Sequence, residues 1–214
     1  GMNTEMVASM WVKLMEGLGY SSFAAQGGDI GASVTGRLGF DHPEKLIGIH
    51  LTMVAGVPYQ GEGATPISDA ENAMLAAREL WVQEEGGYGH MHGTKPQTLA
   101  YSLNDSPAGL AGWIVEKFRA WSDCNGDVES RFTKDELLTN ITIYWLTQTI
   151  NSSMRLYYEG RQAPWNFGPN DRVKAPCGIA RFKGEVNKPL REWVSRHYDV
   201  HRFTEIHSGG HFAA

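Results

Sequence analysis

The stretch "AAQGGDIGA", residues 24–32, surrounds one carboxylate with three glycines. Asp29 is the central residue of a Gly-x-Asp-x-Gly pattern, in which Gly27 and Gly31 hold the two fixed positions. Glycine tolerates strained backbone angles and fits where a Cβ would collide with a neighbouring strand or helix. The pattern therefore predicts a very tight turn, and we expect a side chain at Gly27 or Gly31 to collide with the elements beside it.

A strand and a helix are predicted on either side of this turn. Residues 20–26 are short, apolar and followed by glycine, which favours a buried strand, and residues 31–40 favour a helix. This order is that of the nucleophile elbow, which raises its central side chain at a helix N-terminus. The helix dipole and free N–H groups stabilise a carboxylate there. Asp29 is therefore the candidate nucleophile, and a simple turn is the alternative, because Gly and Asp both favour turns.

The identity of the central side chain limits the reaction. A serine that attacked saturated carbon would form an inert ether, whereas a carboxylate forms an ester that water can open. A carboxylate is also ionised at neutral pH without help from a base. Asp29 at an elbow therefore indicates an electrophilic sp³ carbon, as in an epoxide or an alkyl halide.

Two further residues lie where the partners of such a nucleophile belong, in the chain order nucleophile, acid, histidine. His211 follows the last predicted strand, in "GGHFAA". Glu185 lies in the loop after the predicted strand 176–182, and Asp171 is the second candidate for the acid. A lone histidine or a surface glutamate is more often structural, so both assignments depend on the elbow.

The order of the elements predicts an α/β fold with a parallel sheet covered by helices. The four predicted strands are 20–26, 46–52, 176–182 and 200–206. The predicted helices are 4–18, 31–40, 69–85, 107–121, 134–159 and 188–198. No strand separates the three helices between 69 and 159, which indicates a helical insertion. The predicted organisation is a first core part with the elbow, a lid and a second core part, at 1–60, 61–165 and 166–214.

Composition excludes several classes of protein. The 214 residues carry a formal charge of −5 and no basic cluster, which argues against nucleic acid. The apolar runs fall short of the roughly 20 residues that a membrane span requires. The first residues include Glu5 and no basic segment, so we expect no signal peptide. Cys124 and Cys177 form neither a CxxC motif nor a disulfide framework, which favours a cytoplasmic location.

These residues and five longer motifs resemble the microsomal-type branch of the epoxide hydrolases of the α/β-hydrolase fold. The long motif at 93–123 is the most specific, and the resemblance covers nearly the whole chain. The motifs are "LMEGLGY", "QGGDIGA", "GTKPQTLAYSLNDSPAGLAGWIVEKFRAWSD", "YWLTQTINSSMRLYYE" and "GGHFAA". The resemblance implies an α/β-hydrolase fold, here with a partial parallel sheet, flanking helices and an inserted helical lid, and a role in detoxification.

The resemblance also implies the role of each site residue. Asp29 would be the nucleophile, His211 the base and Glu185 the acid that orients it. Two lid tyrosines would hold the epoxide oxygen, and they correspond to Tyr88 and to Tyr157. Tyr158 is the alternative to Tyr157 if the alignment is shifted by one residue. A phenol can donate a hydrogen bond and then a proton to the alkoxide that ring opening creates.

The implied reaction has two steps and needs no cofactor. Asp29 attacks an epoxide carbon, and water activated by the histidine then attacks the ester, with the backbone N–H of Ile30 as an oxyanion donor. The product is a vicinal diol, and the expected substrate is a small apolar epoxide. His90 and His92 in "HMH" could suggest a metal, but no third ligand is placed nearby, so we expect polar lid residues and no metal.

Two departures from the family leave alternatives open. The family often has Trp after the nucleophile, which related haloalkane dehalogenases use to hold halide; Ile30 here favours an epoxide. Family members also have about half of their sheet before the elbow and a final helix after the histidine, so strand 20–26 is expected at a sheet edge. Either the chain is a fragment of a longer protein, or a second copy or another chain covers that edge. The alternatives are a haloalkane dehalogenase-type hydrolase and a truncated, inactive relative that binds only a ligand or a partner.

Overall fold

The computed structural model describes residues 1–212. The last two residues of the "GGHFAA" motif, and with them the end of the predicted region 166–214, lie outside the described residues. Within the described residues, no helix is long and apolar enough to cross a membrane.

Four strands form one sheet in the order in which they occur in the chain, and every neighbouring pair is parallel. They are β1 (Phe23–Gly27), β2 (Leu46–Leu51), β3 (Val173–Gly184) and β4 (Tyr198–Gly210). All four predicted strands are confirmed, although β1 starts later than predicted and the last two strands are longer. The predicted edge position of the first strand is also confirmed among the described residues, because β1 pairs only with β2.

Nine α-helices occur in the described residues. They are α1 (Thr4–Gly17), α2 (Asp29–Asp41), α3 (Asp69–Glu85), α4 (Gly87–Thr94), α5 (Pro96–Asp105), α6 (Pro107–Ala120), α7 (Lys134–Thr147), α8 (Ile150–Gln162) and α9 (Arg191–Ser195). Short 3₁₀ turns lie at Pro43–Lys45 and Val128–Ser130. The sequence did not predict α4 or α5.

Two predicted helices are corrected by the structure. The single helix predicted over 134–159 is two helices, because Gln148 adopts a left-handed conformation with φ of 53° and ends α7. The helix predicted over 188–198 is limited to α9, because Leu190 before it is extended and the chain from Tyr198 onward belongs to β4.

Two separate hydrophobic clusters accompany this division of the chain. One packs α1 and α2 against the sheet and includes Ala8, Ala32, Leu51 and Tyr198, all of them at most 2% exposed. The other lies among the helices between β2 and β3 and includes Leu110 and Met154, both fully buried, together with Ala100, Leu103, Ile141 and Ile150. The inserted helices therefore have an apolar core of their own.

One buried ion pair attaches the start of the insertion to the sheet domain. Glu71, only 1% exposed, closes a capping box with Ser68 at the start of α3. Arg196, just after α9, donates to both carboxylate oxygens of Glu71 at 2.8 and 2.6 Å. The same guanidinium donates to the carbonyls of Thr65 and Pro66. This bidentate geometry fixes the loop that leads into α3.

The three glycines of the elbow differ in how much space there is for a side chain. A Cβ at Gly27 would collide with the carbonyl oxygen of Gly31 and with Thr35, and one at Gly28 would collide with Thr52. A Cβ at Gly31 would meet nothing within 4 Å. The predicted collision at Gly31 is therefore wrong, because its missing side chain would point into open space.

We expect Gly27→Ala to lower the free energy of unfolding by about 2 kcal/mol, because the new methyl meets backbone atoms that cannot move aside. Gly31→Ala is the matched control and should leave stability unchanged or raise it by about 0.5–1 kcal/mol, as Ala does inside a helix. Urea unfolding of both variants measures the difference. Equal destabilisation by the two substitutions would contradict this account of the turn.

Candidate active site

Asp29 stands at the start of α2, and only Gly28 separates it from Gly27, the last residue of β1. Its φ of 50° lies in the left-handed region, which non-glycine residues rarely occupy. The first helical bond runs from the Ala32 N–H to the Gly28 carbonyl, so the Ile30 N–H precedes the first intrahelical bond. The side chain of Asp29 is 50% exposed. The turn therefore presents a carboxylate in an accessible, strained position at a helix N-terminus.

Parallel pairing brings the three predicted acid, base and nucleophile residues together. Asp29, Glu185 and His211 follow β1, β3 and β4, and the carboxyl ends of parallel strands meet at one edge of a sheet. His211 Nδ1 lies 2.7 Å from Glu185 Oε1, and His211 Nε2 lies 3.3 Å from Asp29 Oδ2. One imidazole thus joins both carboxylates.

Glu185 is held where it can orient the imidazole. Its side chain is 1% exposed, and its Oε1 also accepts the Val186 N–H at 2.7 Å. The second carboxylate oxygen, Oε2, is buried and has no partner among the described residues. Asp171, the second candidate for the acid, instead accepts the Gly168 N–H through its carboxylate, and its backbone oxygen contacts His197. The structure therefore brings Glu185, and not Asp171, to His211.

The charge of His211 is set by opposing effects. Burial disfavours the imidazolium, but the hydrogen bonds and charges of Asp29 and Glu185 outweigh it and raise the pKa of His211 to about 9. The side chain of His211 is only 5% exposed. With Asp29 ionised, the imidazole is therefore protonated at neutral pH.

Tyr88 of α4 and Tyr157 of α8 face each other across the lid, with ring centroids 5.8 Å apart. Burial, with the negative charge of Asp29 as the next cause, raises the pKa of both phenols, and that of Tyr157 lies far above its usual range. Both phenols are therefore protonated hydrogen-bond donors at neutral pH. Tyr157, and not Tyr158, is the residue that packs against Tyr88.

Trp121 contacts both Tyr88 and His211, a link that the sequence did not predict. Its ring lies 5.1 Å from the ring of Tyr88 and 5.3 Å from the ring of His211. Its backbone oxygen accepts the His211 N–H at 2.8 Å. A Cβ at Gly210 would collide with that same oxygen, so the chain before His211 needs glycine there to approach the lid.

Two cavities lie near these residues and share Ser33, Gly56 and Trp165 in their walls. The smaller, of about 240 Å³, is lined by Ile30 and Tyr157. The larger, of about 660 Å³, reaches Glu185 and has a wall of mixed polarity, in which Met53, Trp81 and Trp193 lie beside Arg78 and Lys188. We regard the smaller cavity as nearer to the candidate catalytic groups, because its wall includes Ile30, the residue after Asp29, and Tyr157, one of the two phenols.

The two histidines of "HMH" lie in different surroundings. His90 is exposed, whereas His92 is 8% exposed and packs against both lid tyrosines. Among the residues that the structure describes, no group of three or more side chains is arranged to hold a metal ion.

Comparison with known proteins identifies relatives of one kind. A Stigmatella aurantiaca protein that is named provisionally as an epoxide hydrolase is 40% identical over 215 residues, and the match covers 100% of this chain and 48% of that protein. Epoxide hydrolase 1 of Oryctolagus cuniculus is 34% identical over 237 residues, with 100% of this chain and 52% of the relative covered. No family model matches the chain.

Solved structures of epoxide hydrolases also resemble this chain. The juvenile hormone epoxide hydrolase of the silkworm Bombyx mori superposes with a TM-score of 0.79 and 31% identity, covering 99% of this chain and 50% of that one. The Aspergillus niger epoxide hydrolase has a TM-score of 0.79 and 27% identity, covering 99% and 53%. The fold is therefore the α/β-hydrolase fold, and the chain spans about half the length of the curated relatives it matches.

We expect the His211 pKa to fall from about 9 in both Asp29→Asn and Glu185→Gln, because each substitution removes a negative charge that favours the imidazolium. NMR titration of the histidine ring protons measures the pKa of His211, whose signals are assigned by their loss in His211→Gln. The other histidines serve as internal controls. Because protonation of His211 is linked to folding, its raised pKa increases the free energy of unfolding. This contribution is complete below about pH 6.5 and is lost as the pH rises through about 9. A wild-type value at or below the usual 6.5 would contradict the predicted arrangement.

Proposed function

We propose that this chain, which aligns over its whole length with about half of each epoxide hydrolase named above, opens an epoxide to a vicinal diol through an ester on Asp29. One observation carries the proposal: the imidazole of His211 lies between Asp29 and the buried Glu185. In this arrangement Asp29 is the nucleophile, His211 is the base and Glu185 is the acid that orients the imidazole.

In the first step, Asp29 attacks one epoxide carbon and the C–O bond to that carbon breaks. The electron pair stays on the epoxide oxygen, which Tyr88 and Tyr157 stabilise by donating hydrogen bonds, and one phenol then supplies a proton. The carboxylate needs no base for this step, because it is already ionised. Two donors that face a developing oxyanion can each supply about 2–4 kcal/mol of transition-state stabilisation.

In the second step, water attacks the carbonyl carbon of the Asp29 ester. Ester formation removes the negative charge that helps to raise the His211 pKa to about 9. The pKa of His211 therefore falls once the ester exists, and transfer of its proton to the phenolate restores the phenol and leaves a neutral imidazole that can act as a base. The imidazole takes one proton from the attacking water, and the N–H of Ile30 is the proposed donor to the tetrahedral oxyanion. The bond from the Asp29 carbonyl carbon to the substrate oxygen then breaks, and this oxygen takes the remaining proton of the added water, which restores the Asp29 carboxylate and releases the diol.

The smaller cavity is lined by the apolar side chains of Ile30, Leu156 and Trp165, which favours a small apolar epoxide as substrate. Ile30 has no side-chain donor with which to hold a leaving halide, which makes dehalogenation the second candidate. We place the lid at 61–165, between core parts 1–60 and 166–214, because the helices of this insertion have their own apolar core. The two unpaired cysteines, both buried, support a reducing compartment such as the cytoplasm.

We also propose that another polypeptide strand covers β1. This strand pairs on one side only among the described residues, and an exposed apolar edge invites further pairing. The helix that leads into it, α1, and the residue that follows this helix expose a row of apolar side chains that are 47–63% accessible: Met6, Met10, Leu14 and Leu18. A second copy of the chain or a separate segment could supply this strand, and no nucleic acid is proposed as a partner.

Sedimentation tests the proposed cover of β1. We expect the 214-residue chain to associate with itself, and we expect Met10→Lys/Leu14→Lys to shift it towards monomer by placing charge in the apolar row. Leu146→Lys is the control, because this leucine is 75% exposed on α7, in the inserted helices. A wild-type chain that stays monomeric at high concentration would exclude the second copy as the cover.

A single turnover in ¹⁸O-labelled water tests the covalent mechanism. With enzyme in excess over a panel of aryl and alkyl epoxides, we expect the label in the carboxylate of Asp29 and not in the first diol, because water attacks the ester carbonyl. We expect Asp29→Ala to form no diol, whereas Asp135→Ala, at the solvent-exposed start of α7, should be active.

The other candidate functions give different results in the same assays. Release of halide from an alkyl halide without diol formation from epoxides would support the dehalogenase. Binding without turnover would support the inactive relative. An Asp29→Ala variant that still produced diol would exclude the proposed nucleophile.

A further inference from the structure

His92 is buried behind the two lid tyrosines and takes no part in the proposed reaction. Its ring centroid lies 4.9 Å from that of Tyr157 and 5.5 Å from that of Tyr88. The ring planes meet at 79° and 87°, so both contacts are edge-to-face. This one imidazole therefore packs against both phenols, which are themselves 5.8 Å apart.

A hydrogen bond from Trp113 determines the state of this imidazole. The indole Nε1–H donates to His92 Nε2 at 3.2 Å. An accepting Nε2 requires that the proton of the neutral ring be on Nδ1, which is buried and has no partner among the described residues. Burial also lowers the pKa of His92 to about 4. The ring is therefore neutral, in one tautomer and in one orientation.

The position of His92 suits a supporting role and not a direct one. It lies on α4 one turn after Tyr88, and Tyr157 belongs to α8. Within residues 1–212, the hydrogen bond of its side chain is the one from Trp113 on α6. The side chain thus connects three lid helices at the point where the two phenols meet.

We propose that His92 is a positioning residue, whose neutral imidazole is fixed by Trp113 and holds the rings of Tyr88 and Tyr157 so that both hydroxyls reach one epoxide oxygen. The proposal rests on the proposed function, because it assumes that the two phenols act together. Two donors on different helices share one acceptor only if both rings keep their orientation. A displacement of about 1 Å can cost about a hundredfold in rate.

Pre-steady-state kinetics separates this role from general destabilisation. We expect His92→Leu to slow ring opening by about ten- to hundredfold and to slow hydrolysis of the Asp29 ester much less, because only ring opening uses the phenols. Tyr88→Phe and Tyr157→Phe give the rates with one donor removed. His90→Leu is the matched control, because His90 lies two residues away on the same helix but is exposed, and its ring-opening rate should equal that of the wild type.

The bond from Trp113 is tested by removing its donor. We expect Trp113→Phe to slow ring opening in the same direction as His92→Leu, and the double variant to be no slower than His92→Leu alone, because both act through one contact. His92→Phe keeps an aromatic ring without the acceptor and should recover part of the lost rate. Full additivity of the two substitutions would contradict an action through this bond.

NMR of tyrosine labelled with ¹³C at Cζ gives a result that does not depend on turnover. We expect the Tyr88 and Tyr157 resonances to move in His92→Leu and to stay in place in His90→Leu. If the wild type opens no epoxide, the proposed function fails, and these resonances still decide the positioning role. Unmoved resonances, or an equal loss in ring opening and ester hydrolysis, would overturn it.

Discussion

The site depends on one imidazole that is hydrogen-bonded between two carboxylates of different exposure. Glu185 is buried and fixes one side of the His211 ring, while Asp29 is half-exposed and approaches the other side. Burial of an unpaired carboxylate would lower the stability of the fold, so the contact between Glu185 and His211 constrains the elements that carry these residues. The position of the imidazole between both carboxylates requires that the carboxyl ends of β1, β3 and β4 meet, which only parallel pairing in this order provides.

The inserted helices complete the site through contacts with the same histidine. Trp121 contacts both His211 and Tyr88, and its carbonyl accepts the backbone N–H of His211. The inserted helices and His211 are therefore positioned by shared contacts and not independently. Farther away, the pair between Glu71 and Arg196 attaches α3, the first inserted helix, to the sheet domain.

Electrostatics connects the two steps of the proposed reaction. Burial and, as the second cause, the negative charge of Asp29 raise the pKa of both phenols. Burial lowers the pKa of His211, but the hydrogen bonds and charges of Asp29 and Glu185 outweigh it and raise this pKa to about 9. Before ring opening, the phenols are protonated donors and the histidine is charged. Ester formation removes the Asp29 charge, which frees the histidine to act as a base. In the proposed reaction, one change of charge therefore connects the first step with the second.

The sequence by itself determined the local elements and the kinds of residue at the site. The glycines and Asp29 predicted the elbow, the apolar segments predicted four parallel strands, and the motifs indicated both tyrosines. Such patterns are local, because a strand, a tight turn or a helix depends on neighbouring side chains. Only the tertiary structure shows that Glu185, and not Asp171, contacts His211. It likewise shows that Tyr157, and not Tyr158, packs against Tyr88. It also revealed the break at Gln148, the link through Trp121 and the buried position of His92. The physical reason is distance along the chain: His211 and Asp29 meet across 182 positions, and only the order and register of the strands determine which residues lie side by side.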